Sequence, residues 1–220
     1  MHNSVVSLVA IKEELQLNII NKAKKIKIPA IIAVSKTFDM SKILPLINFG
    51  HFHFGENKVK EAVDKWTDVK LNFKNLKLHM IGKLQTNKVK HVISLFDYLH
   101  SLDNLKLAEK ISKEQIKQNK RIKIFIQVNI GGEEQKSGIR KESVFDFYKS
   151  CRSLNLDIIG AMCIPPKNMH PDKYFLEMNK LNKKLNLSDL SMGMSDDYLE
   201  AALNNATYLR IGAKIFGARN

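Results

Sequence analysis

Lys36 ends an apolar run, in AIIAVSKTF, where strand pattern gives way to loop. Residues Ala30 to Val34 are uninterrupted, apolar and rich in β-branched types, which predicts a short strand buried on both faces. An ordinary surface lysine needs no such place, whereas one that bonds covalently to a carbonyl group does. Burial near other cations lowers an amine's pKa and exposes its neutral form, the nucleophile that condenses with a carbonyl. Two further stretches suit an anion. Ser191-Met192-Gly193-Met194-Ser195 and Arg210-Ile211-Gly212 each close an apolar run, and their glycines let backbone N–H groups come close to a ligand. Ser195-Asp196-Asp197 reads as a helix N-cap with acidic residues in the first turn. His51-x-His53 has strand spacing that puts both rings on one face, as a metal site requires. No matching His/Asp set follows at later strand ends, and His79 and His100 stand singly. Packed or hydrogen-bonded histidines are therefore the simpler reading.

These residues need elements that bring them together. Eight strand-like runs recur: AIIAV, HFHF (His51 to Phe54), KLHMIG (Lys77 to Gly82), DYLHS (Asp97 to Ser101), KIFIQVNI (Lys123 to Ile130), DIIGAMCI (Asp157 to Ile164), DLSMG (Asp189 to Gly193) and ATYLRIG (Ala206 to Gly212). Amphipathic stretches lie between them, at about Glu56–Val69, Asn104–Gln118, Lys141–Ser153, Asp172–Leu185 and Asp196–Asn204. An extra helix, about Val5 to Lys25, precedes the first strand. Such alternation predicts an α/β fold with a parallel sheet covered by helices. Eight units favour a closed (β/α)8 TIM barrel as one domain over residues 1–220, with the extra helix in 1–26 and the barrel in 28–220. A doubly wound open sheet is the alternative, but no G-x-G-x-x-G follows the first strand. In a barrel, working residues come from the C-terminal strand ends, which is where Lys36, Asn57, the Ser191–Ser195 loop and Arg210–Gly212 fall.

Composition narrows the function classes. At 44% hydrophobic and 26% charged the chain is ordinary globular protein. No apolar stretch approaches the roughly 18 residues of a membrane span, and the N-terminus lacks the basic and apolar regions of a signal peptide. Cys151 and Cys163 are too few for a disulfide framework and read as reduced, partly buried thiols of a cytoplasmic protein. The net charge of +14 invites a nucleic-acid partner, yet only five of the 36 basic residues are arginine, the preferred reader of phosphate and base. A scattered, solvated lysine surface accounts for the charge better. The basic segment TNKVKHV, with Lys83 nearby, reads as a helix face with an electropositive rim rather than an RNA site.

AVSKTF, FGEN, IGKLQTNK, HSLDN, QVNIGGEEQKSG, the IPP of AMCIPP, LSMGMSDD and RIGAKIFGAR occur in that order. Together they closely resemble the pyridoxal 5′-phosphate (PLP) homeostasis protein family, a single-domain barrel similar to the cofactor-binding domain of bacterial alanine racemase. The resemblance spans about Ala30 to Arg219. It implies that Lys36 forms the internal aldimine with the cofactor aldehyde and that Arg210 faces the pyridine nitrogen. It implies Ser191, Ser195 and the backbone at Gly212 and Ala213 as phosphate contacts. Asn57 is read as a contact on or behind the cofactor ring, or as the N-cap of the helix that follows. No metal and no catalytic residue beyond the covalent lysine is implied. Three positions depart from the usual pattern: Ala213 stands where a threonine often helps hold the phosphate, Lys83 where a histidine is frequent, and Lys58 where a tyrosine is frequent.

A guanidinium only donates hydrogen bonds and keeps its proton, so a ring nitrogen opposite Arg210 accepts and stays unprotonated. Such a ring is a poor electron sink. The family resemblance accordingly implies a PLP carrier or buffer with little or no turnover, acting on amino-acid and keto-acid balance and passing PLP to apo-enzymes, as a monomer or weak dimer. The competing enzyme reading is a PLP-dependent amino-acid racemase. Racemisation by two bases needs a second acid or base on the cofactor face opposite the lysine. Tyr98, Tyr148, Tyr174, Tyr198 and Tyr208 fall in strands or helices with no obvious route there, and the chain ends at Asn220 without the second domain that supplies such a tyrosine in racemases.

Overall fold

The computed structural model describes residues 1–21, 27–167 and 169–218. The continuation of the first helix to Lys25, and Arg219 of the last motif, lie outside the described residues. The AIIAV run forms β1 (Ala30–Val34), buried over its last four residues. Strands β2 (His53–Glu56), β3 (Lys77–Met80), β4 (Tyr98–Leu102), β5 (Lys123–Asn129), β7 (Ile158–Cys163), β8 (Asp189–Ser191) and β9 (Tyr208–Ile211) follow, with a short β6 (Ile139–Arg140) on the loop after β5. All pairings are parallel, and the order β4-β3-β2-β1-β9-β8-β7-β5 is closed by β4 against β5. The protein is therefore a closed eight-stranded α/β barrel, as the alternation predicts, and β6 merely extends the ladder of β5 through Val128↔Ile139 and Asn129↔Arg140.

Helices cover the outside. They are α1 (Asn3–Asn21), α2 (Met40–Asn48), α3 (Val59–Asn72), α4 (Val89–Leu95), α5 (Leu105–Lys117), α6 (Val144–Ser153), α7 (Asp172–Lys184), α8 (Tyr198–Leu203) and the single turn α9 (Ala213–Phe216). In α1, Ser4, Leu8, Ile11, Leu15 and Ile19 repeat at three- and four-residue spacing and are buried, so this helix packs one stripe against the barrel. Four helices stop in the same way. Asn119, Asn155, Asn186 and Asn205 follow the C-caps of α5, α6, α7 and α8 with φ of 47°, 56°, 55° and 68°. Asparagine is the non-glycine residue that best tolerates this left-handed position.

Two of the boundaries that move bear on the site. The second strand begins at His53 rather than His51 and runs to Glu56, so Glu56 is a strand residue and not the start of a helix. The helix expected from Asp196 begins at Tyr198 with Asp197 as its N-cap residue. Ser195 lies in the preceding turn, where the Asp197 carboxylate accepts from the Met194 N–H at 2.6 Å. The local sequence contains two acidic residues that can do this, and the nearer to the first apolar position takes the role.

Candidate functional site

Lys36 follows β1 at the barrel mouth, half-buried in a turn. Its neighbours are fixed from below by residues of β2 and α3. The Glu56 carboxylate is fully buried, and its Oε1 accepts from the Ser35 hydroxyl at 2.7 Å, the Trp66 indole N–H at 3.0 Å and the Lys65 ammonium at 3.1 Å. Lys65 also donates to the Ser35 carbonyl and to Glu61, each at 2.9 Å. Glu61 in turn accepts the Thr37 N–H at 2.5 Å. Thr37 has φ +67°, a left-handed conformation that is costly for a β-branched residue and persists only where surrounding contacts over-determine it. The residues on both sides of Lys36 are thus tied to one buried ionic cluster.

Arg210 lies on β9, the strand adjacent to β1, in register with Ile32. It is 5% exposed. Its Nη1 donates to Ser191 Oγ at 2.7 Å and its Nη2 to the Cys163 carbonyl at 2.9 Å. Burial pulls its pKa below the ordinary arginine value, and the Asp197 carboxylate offsets part of that cost. A guanidinium has five N–H donors, so these two bonds leave others for a ligand. Ser191 is therefore a fully buried interior residue bound to Arg210.

The loops after β8 and β9 do meet. Ser195 Oγ accepts the Lys214 N–H at 3.4 Å, which sets Ser195 against Gly212 and Ala213 at the start of α9. Gly193 has φ +91° and requires glycine, whereas Gly212 lies at φ −117°, where a Cβ would press against Val34 at 3.3 Å. Asn57 does not cap α3, whose N-cap is Lys58; its Oδ1 is buried with no hydrogen-bond partner. Gly82 allows the β3 loop to pass close beside it, since a Cβ there would fall 2.2 Å from the Asn57 carbonyl oxygen. A cavity of about 380 Å³ opens at the same mouth, lined by Gly82, Lys83, Gln127, Asn129, Lys136 and Met162.

The His51–His53 pair does not converge. His51 Nε2 lies 2.9 Å from the His53 carbonyl, while His53 Nδ1 faces His79 Nε2 at 2.9 Å. Histidines that stand singly in the sequence thereby meet inside the barrel. Their spacing from 53 to 79 to 100, about one βα unit each, was the available signal.

The alanine racemase N-terminal domain family model matches residues 10–220. Pyridoxal phosphate homeostasis proteins of Aquifex aeolicus and Haemophilus influenzae are 37% and 36% identical over 199 and 201 residues, covering 86% of this chain in both cases and 86% and 85% of theirs. The chain belongs to the pyridoxal phosphate homeostasis protein family. A solved structure of PipY from Synechococcus elongatus with PLP bound superposes on it with a TM-score of 0.81 at 27% identity, covering 92% of this chain and all of that one. The contacts of Glu56, Lys65 and the interior histidines come from the geometry. Among the described residues no helix is long and apolar enough to cross a membrane.

Proposed function

We propose that this protein binds PLP, anchors it covalently through Lys36 and serves cofactor homeostasis, releasing PLP to apo-enzymes in the cytoplasm with little or no turnover of its own. The carrying observation is the pairing of β1 with β9, which brings a half-buried lysine and a buried, donor-rich arginine to the same end of one barrel wall. The remaining residues fit the group chemically. Ser195 and the Gly212–Ala213 backbone gather at one loop junction suited to a phosphate, and Asn57 keeps a buried oxygen without a donor. PLP supplies an aldehyde that condenses with an amine, with loss of water, and a ring that can withdraw electrons when its nitrogen is protonated.

Each residue has a task in this reading. Lys36 provides the amine, oriented by the Glu56–Lys65–Glu61 cluster beneath its turn. Arg210 donates to the ring nitrogen and withholds a proton, which disfavours carbanion chemistry. Ser195, Gly212 and Ala213 bind phosphate, with only an N–H available at Ala213. Asn57 and the neighbouring Gly82 backbone bound the site. The tyrosines support the carrier reading over a racemase: Tyr98 and Tyr208 contact each other in the interior, and Tyr198 is held by Glu14 and Lys214.

The test is an absorbance spectrum of purified protein with PLP, before and after borohydride, followed by peptide mass mapping and an alanine racemisation assay. Loss of the yellow colour, a pyridoxyl adduct on Lys36 and negligible racemisation support the proposal. A colourless, unmodified protein after incubation with excess PLP would refute it.

A further inference from the structure

Small parallel barrels ordinarily fill their interior with branched aliphatic side chains. This one carries a row of imidazoles. His53 Nδ1 and His79 Nε2 are 2.9 Å apart, His79 Nδ1 and His100 Nε2 are 2.9 Å apart, and His100 Nδ1 is 2.8 Å from Ser191 Oγ. Arg210 Nη1 completes the line by donating to Ser191. His79 and His100 are fully buried. Each is clamped by an aromatic face: His79 stacks on Tyr98 at 4.2 Å and 11°, and His100 on Phe125 at 4.4 Å and 20°.

The proton order of this row can be counted from its arginine end. A guanidinium can only donate, so Ser191 Oγ accepts from it. Among the described residues, the acceptor within reach of the Ser191 hydrogen is His100 Nδ1. His100 therefore carries its hydrogen on Nε2 and donates to His79 Nδ1. The same step passes to His79, whose Nε2–H donates to His53 Nδ1. The opposite order strands a buried hydroxyl hydrogen, which is costly. Burial and Arg210 hold the His100 pKa well below its ordinary value, and burial with the neighbouring imidazoles of His100 and His53 does the same for His79. In this order each ring accepts at Nδ1 and donates at Nε2, so both are neutral.

We infer that His100, His79 and His53 are positioning residues, a one-way row of neutral imidazoles that holds Ser191 and, through it, the Arg210 guanidinium in a single orientation. The functional meaning rests on the proposed role of Arg210 toward the PLP ring nitrogen; the proton order belongs to the chain itself. At the arginine end the row presents an acceptor and no acidic N–H, so it has no proton to hand to that nitrogen. Its other end is His53, half-buried and facing Lys77, Asp97, Tyr98 and Tyr208.

The experiment is long-range 1H–15N correlation spectroscopy of the histidine rings in the full chain, with and without PLP, from pH 5.5 to 8. The expected result is a single neutral Nε2–H form for His79 and for His100 that does not shift over this range. His79→Phe keeps a ring on Tyr98 and removes both nitrogens. His100 then loses its acceptor and shows mixed tautomers, and the Arg210 guanidinium resonances broaden. If that variant does not fold, Ser191→Ala reads the row from its other end: His100 keeps Nε2–H on His79, its Nδ1 resonance shifts as it loses the hydroxyl donor, and the Arg210 guanidinium resonances broaden. An Nδ1–H or charged ring at either position in the unsubstituted protein overturns the inference. So does a folded His79→Phe variant whose His100 tautomer is unchanged, or a folded Ser191→Ala variant whose His100 Nδ1 and Arg210 resonances are unchanged. The absorbance and borohydride measurement separates the two ideas. An intact row in a protein that takes up no PLP refutes the binding proposal alone, while a bound cofactor above a disordered or reversed row refutes this one alone.

Discussion

Replacing Glu56 tests whether the cluster beneath Lys36 is an energetic unit. Glu56→Ala removes one acceptor oxygen that serves three donors at 2.7, 3.0 and 3.1 Å, in a side chain with no solvent exposure. The Trp66 indole N–H loses the acceptor it has here, at about 1–3 kcal/mol for a buried donor. Ser35 keeps a weaker contact to the Gly55 carbonyl at 3.4 Å. Lys65, 11% exposed at its side chain, keeps Glu61 and the Ser35 carbonyl, so it is not left wholly unpaired. Breaking a buried ion pair by deleting one partner costs about 3–5 kcal/mol, and the retained contacts of Lys65 place this case near the lower bound. For a chain of this size each kcal/mol lowers the thermal midpoint by about 2–4 °C, so the expected loss is about 6–12 °C. Glu56→Gln preserves an acceptor oxygen and weakens three charge-assisted bonds, and should lose about half as much. Thermal unfolding followed by circular dichroism, with urea titration at fixed pH, reads both values. Because the cluster also fixes Ser35 and Thr37, the fraction of Lys36 trapped by PLP and borohydride should fall in parallel. A loss below about 1 kcal/mol with undiminished trapping would refute the reasoning.

Acid should destabilise the protein through its histidines before its carboxylates. Burial, aided by Lys12, lowers His51 to about 4 in the folded state against an ordinary 6.5, so the unfolded chain takes the proton first. The stability this contributes is complete above pH 6.5 and is lost as pH falls toward 4, about 3 kcal/mol in total; His51→Gln should flatten urea midpoints over that window by a corresponding amount. Asn155→Ala places a Cβ-bearing residue without a local hydrogen-bonding side chain at φ 56° and should cost about 1 kcal/mol by urea titration. Ala213→Thr adds a hydroxyl at the proposed phosphate site and should tighten PLP retention about 10-fold in a dialysis-release assay, since a hydrogen bond to a charged group contributes about 1.5–3 kcal/mol; unchanged release would remove Ala213 from that site.

Much of this molecule is legible in one dimension because its strongest signals are local. A buried parallel strand must be a continuous apolar run and a covering helix must be amphipathic, so AIIAV and its successors mark the eight strands that close the barrel. Strand-end position then singles out Lys36, Ser195 and Arg210 as residues of the mouth. Local patterns did not determine which neighbour satisfies each buried polar group. Glu56 reads as a helix start until pairing of β2 with β3, in the register Glu56↔Met80, makes it a strand residue facing Trp66 and Lys65 of α3. Ser191 reads as one of the phosphate candidates, and nothing local shows that closure of the ring sets its hydroxyl between Arg210 and His100, 91 positions away from the latter. Hydrogen-bond partners of buried side chains depend on strand register and barrel closure, which are long-range geometric conditions that the alternation of apolar and polar residues does not encode.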